Sequence, residues 1–234
     1  MGERLDKFLA SQGFGTRKAV GRLIRSGAVA VDGVSQRDPS AKVDPEAAQV
    51  TVNGMPVRYS KYLYILMNKP AGVLSATEDR RQKTVLDLLP AELRRRGLFP
   101  AGRLDKDTTG LLLITDDGDL AHRMLSPKSH VYKLYQALLD QPVDARDVQA
   151  FEQGIQWEEE RYAPARLWTE GDPRTAFVEI REGRFHQVKR MFQARGKNVL
   201  QLKRLKIGGL ALDDTLPEGD CRLLTPEETQ AIFH

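Results

Sequence analysis

A nine-residue polar stretch, Gly102-Arg103-Leu104-Asp105-Lys106-Asp107-Thr108-Thr109-Gly110, lies mid-chain between two apolar runs, Gly97 to Ala101 and Leu111 to Thr115. It therefore forms a polar loop emerging from sheet structure. Loops held by rigid neighbours are where catalytic groups most often lie. This one presents the Asp105 carboxylate beside Arg103, the hydroxyls of Thr108 and Thr109, and flanking glycines.

The chain around that loop divides in two. Residues 1–58 read as a small α+β module. Leu5, Phe8 and Leu9 recur at helical spacing, and Val20, Leu23 and Ile24 repeat the pattern after the Gly13-Phe14-Gly15 break, with Thr16 as a cap. Ala28 to Val34 then alternates into an Asp32-Gly33 turn. A short linker, Val57 to Lys61, leads to a second domain over 62–234. There, strands are expected at Tyr62 to Met67, Leu111 to Thr115, Val131 to Leu139, Thr175 to Ile180 and Val199 to Leu205. Helical turns are expected at Thr84 to Leu89 and Ala91 to Arg96. Helices are expected at Asp119 to Leu125 after an Asp117-Gly118 turn, and from Asp144 as cap to Gln153. Another should start near His186, and a last one should open at the Thr225-Pro226-Glu227-Glu228 capping box. Strands and helices mix without regular βαβ alternation, so the fold class is α+β, with a mixed, mainly antiparallel sheet in the larger domain.

Charge narrows the class of partner. The net charge is +4, but from Arg161 to Lys206 twelve Lys/Arg face four Asp/Glu, and the first sixty residues carry nine against six. Basic clustering of this kind is the footprint of a polyanion. No apolar run approaches the roughly 20 residues of a membrane span, and the N-terminus lacks the apolar core of a secretory signal. The single cysteine, Cys221, forms no disulfide framework within the chain and no Cys-rich zinc site. The four histidines show no metal-binding spacing. A cytoplasmic protein with no metal is expected.

Several motifs carry a resemblance that runs the length of the chain. Gly102-Arg103-Leu104-Asp105 followed by Thr108-Thr109-Gly110 resembles the signature loop of RsuA-type RNA pseudouridine synthases. Arg4 to Leu9 opens the chain as an S4-type RNA-binding domain does. Asn68-Lys69-Pro70-Ala71-Gly72, Lys133-Leu134-Tyr135 and Gly183-Arg184-Phe185-His186-Gln187-Val188-Lys189-Arg190-Met191 follow in the family's order. The resemblance implies isomerisation of uridine to pseudouridine in ribosomal RNA, that of the small subunit. The partner is then ribosomal RNA or an assembly intermediate, met by a monomer without a cofactor.

It also implies residue roles. Asp105 is the catalytic carboxylate, Tyr135 stacks on the target uracil and serves proton transfer, and a basic residue after Gln187-Val188 stands against the aspartate. Helix geometry separately favours Lys189 for that position. At about 100° per residue, Phe185, Val188, Met191 and Phe192 form an apolar stripe, Lys189 lies on its border and Arg190 points almost opposite. Lys189 is thus assigned to Asp105 and Arg190 to phosphate. Arg103 is expected to fill the space of an unstacked nucleotide or hold its phosphate. Lys69 shapes the pocket rim, in reach of phosphate. Thr108, Thr109 and Arg184 complete the substrate contacts. His186 holds loop backbone or contacts RNA and is not assigned as a base. Arg17, Lys18, Arg22 and Arg25 of the N-terminal helical pair are placed on phosphates.

Three alternatives remain open at this level. Large-subunit RNA could be the substrate. The chain could be a non-catalytic S4-type binder. Asp105 and Asp107 could be the paired carboxylates of a glycoside hydrolase, although two residues apart in one loop is a poor way to straddle a sugar.

Overall fold

The computed structural model describes residues 2–95 and 97–234; Met1 and Arg96 lie outside the described residues. Two compact units emerge, one made of Met1–Tyr62 with Leu89–Leu98, the other of Leu63–Leu88 with Phe99–His234. The first unit thus takes in a ten-residue stretch that a division at the 57–61 linker leaves with the second domain. Its helical turn is shorter than expected, Ala91–Leu93.

In the first unit, strand β1 (Glu3–Arg4) leads into helices α1 (Leu5–Ser11) and α2 (Arg17–Arg25). The Thr16 hydroxyl caps α2 by accepting from Ala19 N at 3.2 Å, a contact worth about 1 kcal/mol. Strands β2 (Val29–Val31), β3 (Val34–Ser35), β4 (Lys42–Val43), β5 (Val50–Val52) and β6 (Met55–Pro56) follow. Strand β4 pairs with β1, and the others form an antiparallel sheet in the order β3-β2-β5-β6. Leu5, Phe8, Leu9, Val20, Ile24, Val29, Val43, Val50 and Val52 make its core. The apolar spacing seen in the sequence is the spacing of this buried face.

The second unit contains β7 (Tyr64–Lys69), β8 (Phe99–Pro100), β9 (Thr109–Thr115), α3 (Gly118–Leu125), β10 (Lys133–Leu139) and α4 (Ala145–Gln153). They are followed by β11 (Gln156–Trp157), β12 (Glu160–Arg161), β13 (Arg166–Thr169), β14 (Thr175–Ile180), α5 (Gln187–Gln193), β15 (Val199–Ile207), β16 (Leu210–Ala211), β17 (Cys221–Leu223) and α6 (Pro226–Ala231). Nine of these strands form one sheet, running β13-β14-β10-β15-β9-β7-β17 with β8 and β16 at its sides. Every pairing along that path is antiparallel except β15 with β9, so the sheet is mixed and mostly antiparallel, and the fold is α+β. The cap expected at Asp144 closes a full capping box with Asp147. Asp117 does more than make a turn: it caps α3 by accepting from Leu120 N at 3.0 Å and also receives the Tyr64 hydroxyl at 2.7 Å.

The single parallel junction matters most for the site, because the Asp105 loop enters the sheet there. Gly110 opposes Arg204 in that pairing and has φ +97°. A Cβ at Gly110 would sit 2.3 Å from the Arg204 carbonyl oxygen. Only glycine lets the two backbones approach this closely.

Candidate active site

The loop carrying Asp105 is fastened from below by a lysine. Lys69, the last residue of β7, is fully buried, and its ammonium donates to the carbonyls of Pro70 at 3.0 Å, Lys106 at 3.3 Å and Thr108 at 2.9 Å. Burial pushes its pKa down to about 8, against the pull of the Asp107 and Asp105 carboxylates. Ser75 provides a second anchor, donating to Leu104 O at 2.9 Å and accepting from Leu104 N at 3.1 Å. Gly72 N also donates to Lys106 O at 2.8 Å. The expectation that Lys69 lies at the rim, within reach of phosphate, is corrected: its three donors are spent on loop carbonyls, away from solvent.

Asp105 is approached from α5. Lys189 Nζ lies 3.0 Å from Asp105 Oδ2 and 2.6 Å from Asp107 Oδ1. Burial works against the Lys189 charge, but the two carboxylates outweigh it and hold the ammonium above its ordinary range. The same hydrogen bond lowers the Asp107 pKa. Because the two aspartates share one ammonium on one side, they do not face each other across a substrate-sized gap. His186 Nε2 stands 3.5 Å from Asp105 Oδ1, a neighbour that sequence reasoning did not foresee.

The phase of α5 differs in one respect from the expected stripe. His186 adopts a left-handed conformation with φ +52°, and the helix begins only at Gln187. Phe185 is therefore outside the helix, 61% exposed and stacked on the His186 ring at 3.7 Å between centroids. Buried Gln187 ties down the entry instead, accepting from Arg184 N at 3.1 Å and donating to Glu182 at 3.1 Å. Val188, Met191 and Phe192 remain the buried face. Arg190 is not a free cation as its expected place on phosphate requires: it meets Glu160 at 3.1 Å and donates to the Tyr162 hydroxyl at 3.4 Å.

A cleft opens above these groups, lined among others by Arg103, Asp105, Thr108, Tyr135, Arg184 and His186. Arg103 is exposed at its edge and makes no ion pair among the described residues. The Thr108 hydroxyl is buried with no partner among the described residues. Tyr135 is 8% exposed, whereas Tyr132 is 43% exposed, as alternate strand faces require. Arg184 reaches Glu160 at 3.7 Å. Thr109 does not join this group; it pairs with Lys203 in the sheet and lines a separate depression with Gln136, Gln201 and Lys203. Lys133 is buried and donates to Arg181 O at 3.3 Å; burial, with the Arg204 charge adding to it, lowers its pKa to about 8.

In the first unit, Lys18, Arg22 and Arg25 are exposed on α2. Arg17 is exposed too, but its guanidinium grips both oxygens of buried Asp6 at 3.0 Å. Hydrogen bonds from Arg4 first, and then Arg17, hold the Asp6 pKa down to about 2.

Comparison with known proteins gives these features a context. Residues 63–194 match the RNA pseudouridylate synthase family and residues 3–48 match the S4 domain. The chain is 48% identical to an uncharacterized RNA pseudouridine synthase of Bacillus subtilis, with 98% of each chain covered. It is 43% identical to the ribosomal small subunit pseudouridine synthase A of Vibrio cholerae, over 98% of this chain and 99% of that one. A crystal structure of a pseudouridylate synthase superposes with a TM-score of 0.68 at 36% identity, covering 98% of this chain and 99% of the other.

Proposed function

This chain belongs to the RNA pseudouridylate synthase family and opens with an S4 domain, and we propose that it isomerises a uridine of small-subunit ribosomal RNA with Asp105 as the catalytic carboxylate. The observation that carries this reading is convergence. Asp105 from the loop before β9 and Tyr135 from β10 line one cleft, and Lys189 from α5 meets Asp105 at 3.0 Å. Near-full-length similarity to relatives named for the small subunit supports the choice of RNA.

The reaction breaks the bond from C1′ to N1 of uracil and makes one from C1′ to C5. C5 gives up its hydrogen and N1 gains one, so the base is conserved and no oxidant, reductant or energy source is consumed. A carboxylate can begin it by attacking C1′, by attacking C6 or by taking the C2′ proton. Lys189 holds Asp105 oriented and offsets its charge when a base displaces water from the cleft. The Tyr135 ring stacks on the base, and its hydroxyl serves proton transfer. Reaching the glycosidic bond requires the uridine to leave its stack. Arg103, exposed and without an ion-pair partner among the described residues, occupies the vacated space or holds the phosphate. The exposed cations of α2 add phosphate contacts that position the RNA without reading its bases. The protein acts as a monomer in the cytoplasm and needs no cofactor.

Tritium release from 5-tritiated uridine, measured separately on small- and large-subunit RNA and on assembly intermediates, tests the activity. Pseudouridine mapping in cells lacking the protein identifies the target. Loss of one pseudouridine from small-subunit RNA is the expected result. Loss confined to large-subunit RNA would overturn the choice of substrate, and no release from any RNA would overturn the activity.

A further inference from the structure

Arg204 is a buried cation that the roles assigned above leave unused. It is 4% exposed, and among the described residues it makes no ion pair with a carboxylate. Its Nε donates to Leu111 O at 2.8 Å, on the strand that follows the Asp105 loop. Its Nη1 donates to the Tyr135 hydroxyl at 3.5 Å. Its Nη2 is buried without a partner among the described residues. A guanidinium kept from water without a counter-ion is costly, so hydrophobic packing alone does not account for it.

Strand register places it with the cleft. Tyr135 opposes Arg204 and Ala137 opposes Leu202, while Leu134 opposes Lys206, so Leu205 is an extra, unpaired residue. Directly opposed residues share a face of the sheet, and Leu202 lines the same cleft as Tyr135. The irregularity at Leu205 sits immediately beside the Tyr135–Arg204 pair, and bulges of this kind re-aim side chains next to active sites. One arginine therefore links the strand of the loop to the strand of the tyrosine.

The direction of that link has a chemical consequence. Arginine has five donors and no acceptor, so the Tyr135 oxygen must accept, and the hydroxyl proton is left to donate elsewhere. We infer that Arg204 is a positioning residue that fixes the polarity of the Tyr135 hydroxyl, turning its O–H into the cleft as a donor to the substrate. The inference rests on the role of Tyr135 proposed above.

Two readouts on the full chain test it, with Arg204→Met, Arg204→Lys, Tyr135→Phe and the Arg204→Met/Tyr135→Phe double variant. In protein carrying 13C at the tyrosine Cζ, the Tyr135 signal is identified by its loss in Tyr135→Phe. It should move in Arg204→Met while the other tyrosine signals stay, and Arg204→Lys should return it part of the way. Under single turnover with 5-tritiated uridine RNA, Arg204→Met should lose about tenfold or more in rate with RNA affinity within about threefold, and Arg204→Lys should recover part of the rate. In the Tyr135→Phe background the same substitution should cost little further, as expected for residues acting through one another. An unmoved Tyr135 signal, or an equal fold loss in both backgrounds, would overturn the inference while leaving the role of Tyr135 intact. A Tyr135→Phe enzyme at the full rate would overturn that role and the inference with it.

Discussion

The two units use positive charge in opposite ways. In the first, Lys18, Arg22 and Arg25 stand exposed on one helix, where their charge is open to a polyanion and screened by salt. In the second, Lys69, Lys133 and Arg204 are buried, and Lys189 is tied to two carboxylates. These cations face backbone, a phenol and carboxylates within the protein. What they supply is geometry, which salt screens less than it screens the exposed cations of α2. Affinity and chemistry should therefore respond differently to the same changes in solution.

The largest effect expected among the cations is that of Lys189→Met. Losing the ammonium that joins Asp105 to Asp107 should cut the single-turnover rate by about a thousandfold, or roughly 4 kcal/mol of barrier. That deficit should be the same at low and high salt once RNA is saturated with enzyme. A rate restored by lowering the salt would assign Lys189 to RNA binding and erase the contrast between the units.

Lys69→Met comes next and is first of all a stability test. Three carbonyls lose their donor, two of them, Lys106 and Thr108, in the Asp105 loop, which should cost about 3 kcal/mol in urea unfolding, with the rate falling as that loop loosens. Unchanged stability would mean that the loop is held by Ser75 and Gly72 alone.

Replacing Lys18, Arg22 and Arg25 together with glutamine should weaken RNA binding by about tenfold, roughly 1.4 kcal/mol, and flatten its salt dependence. The saturated rate should be nearly unchanged. A lowered maximal rate with an unaltered salt slope would move these residues out of the binding role.

The smallest effect concerns pH. The folded Asp6 carboxyl lies at about 2 against an ordinary value of 3.8. A depressed carboxylate contributes stability that is present above the unfolded value and lost as pH falls from about 4 towards 2. With its arginine partners partly exposed, the contribution is on the order of 1 kcal/mol. Asp6→Asn should remove this acid-side slope from unfolding of the first unit. A slope that persists belongs to other carboxylates.

Much of this arrangement was legible from local pattern. Thr16, Asp144 and Thr225 cap the helices they precede, because a cap depends on the neighbouring few residues. The border position of Lys189 follows from helix geometry, but Phe185 falls outside the helix, and nothing local marks His186 as left-handed. Contacts set by the sheet could not be read this way. Lys69 looks like a rim residue before a proline until β9 is paired beside β7. Ser75 carries no motif at all. Arg204 sits two residues from Leu202, so strand alternation already places both on one face, but its partner Tyr135 lies 69 residues away and appears only when β10 and β15 pair. The short strands β11, β12, β13, β16 and β17 have no sequence signature, because two to four residues carry too little periodicity to stand out.

The most direct test of the account is Asp105→Asn, measured for RNA affinity and for single-turnover tritium release on the same small-subunit RNA. The substitution keeps the shape of the side chain and removes the charge on which the proposed chemistry depends. No detectable isomerisation is expected, with affinity within about tenfold of the unsubstituted protein, because binding is spread over many contacts. A variant retaining more than about a few per cent of the rate would contradict it, since a lost catalytic group costs orders of magnitude.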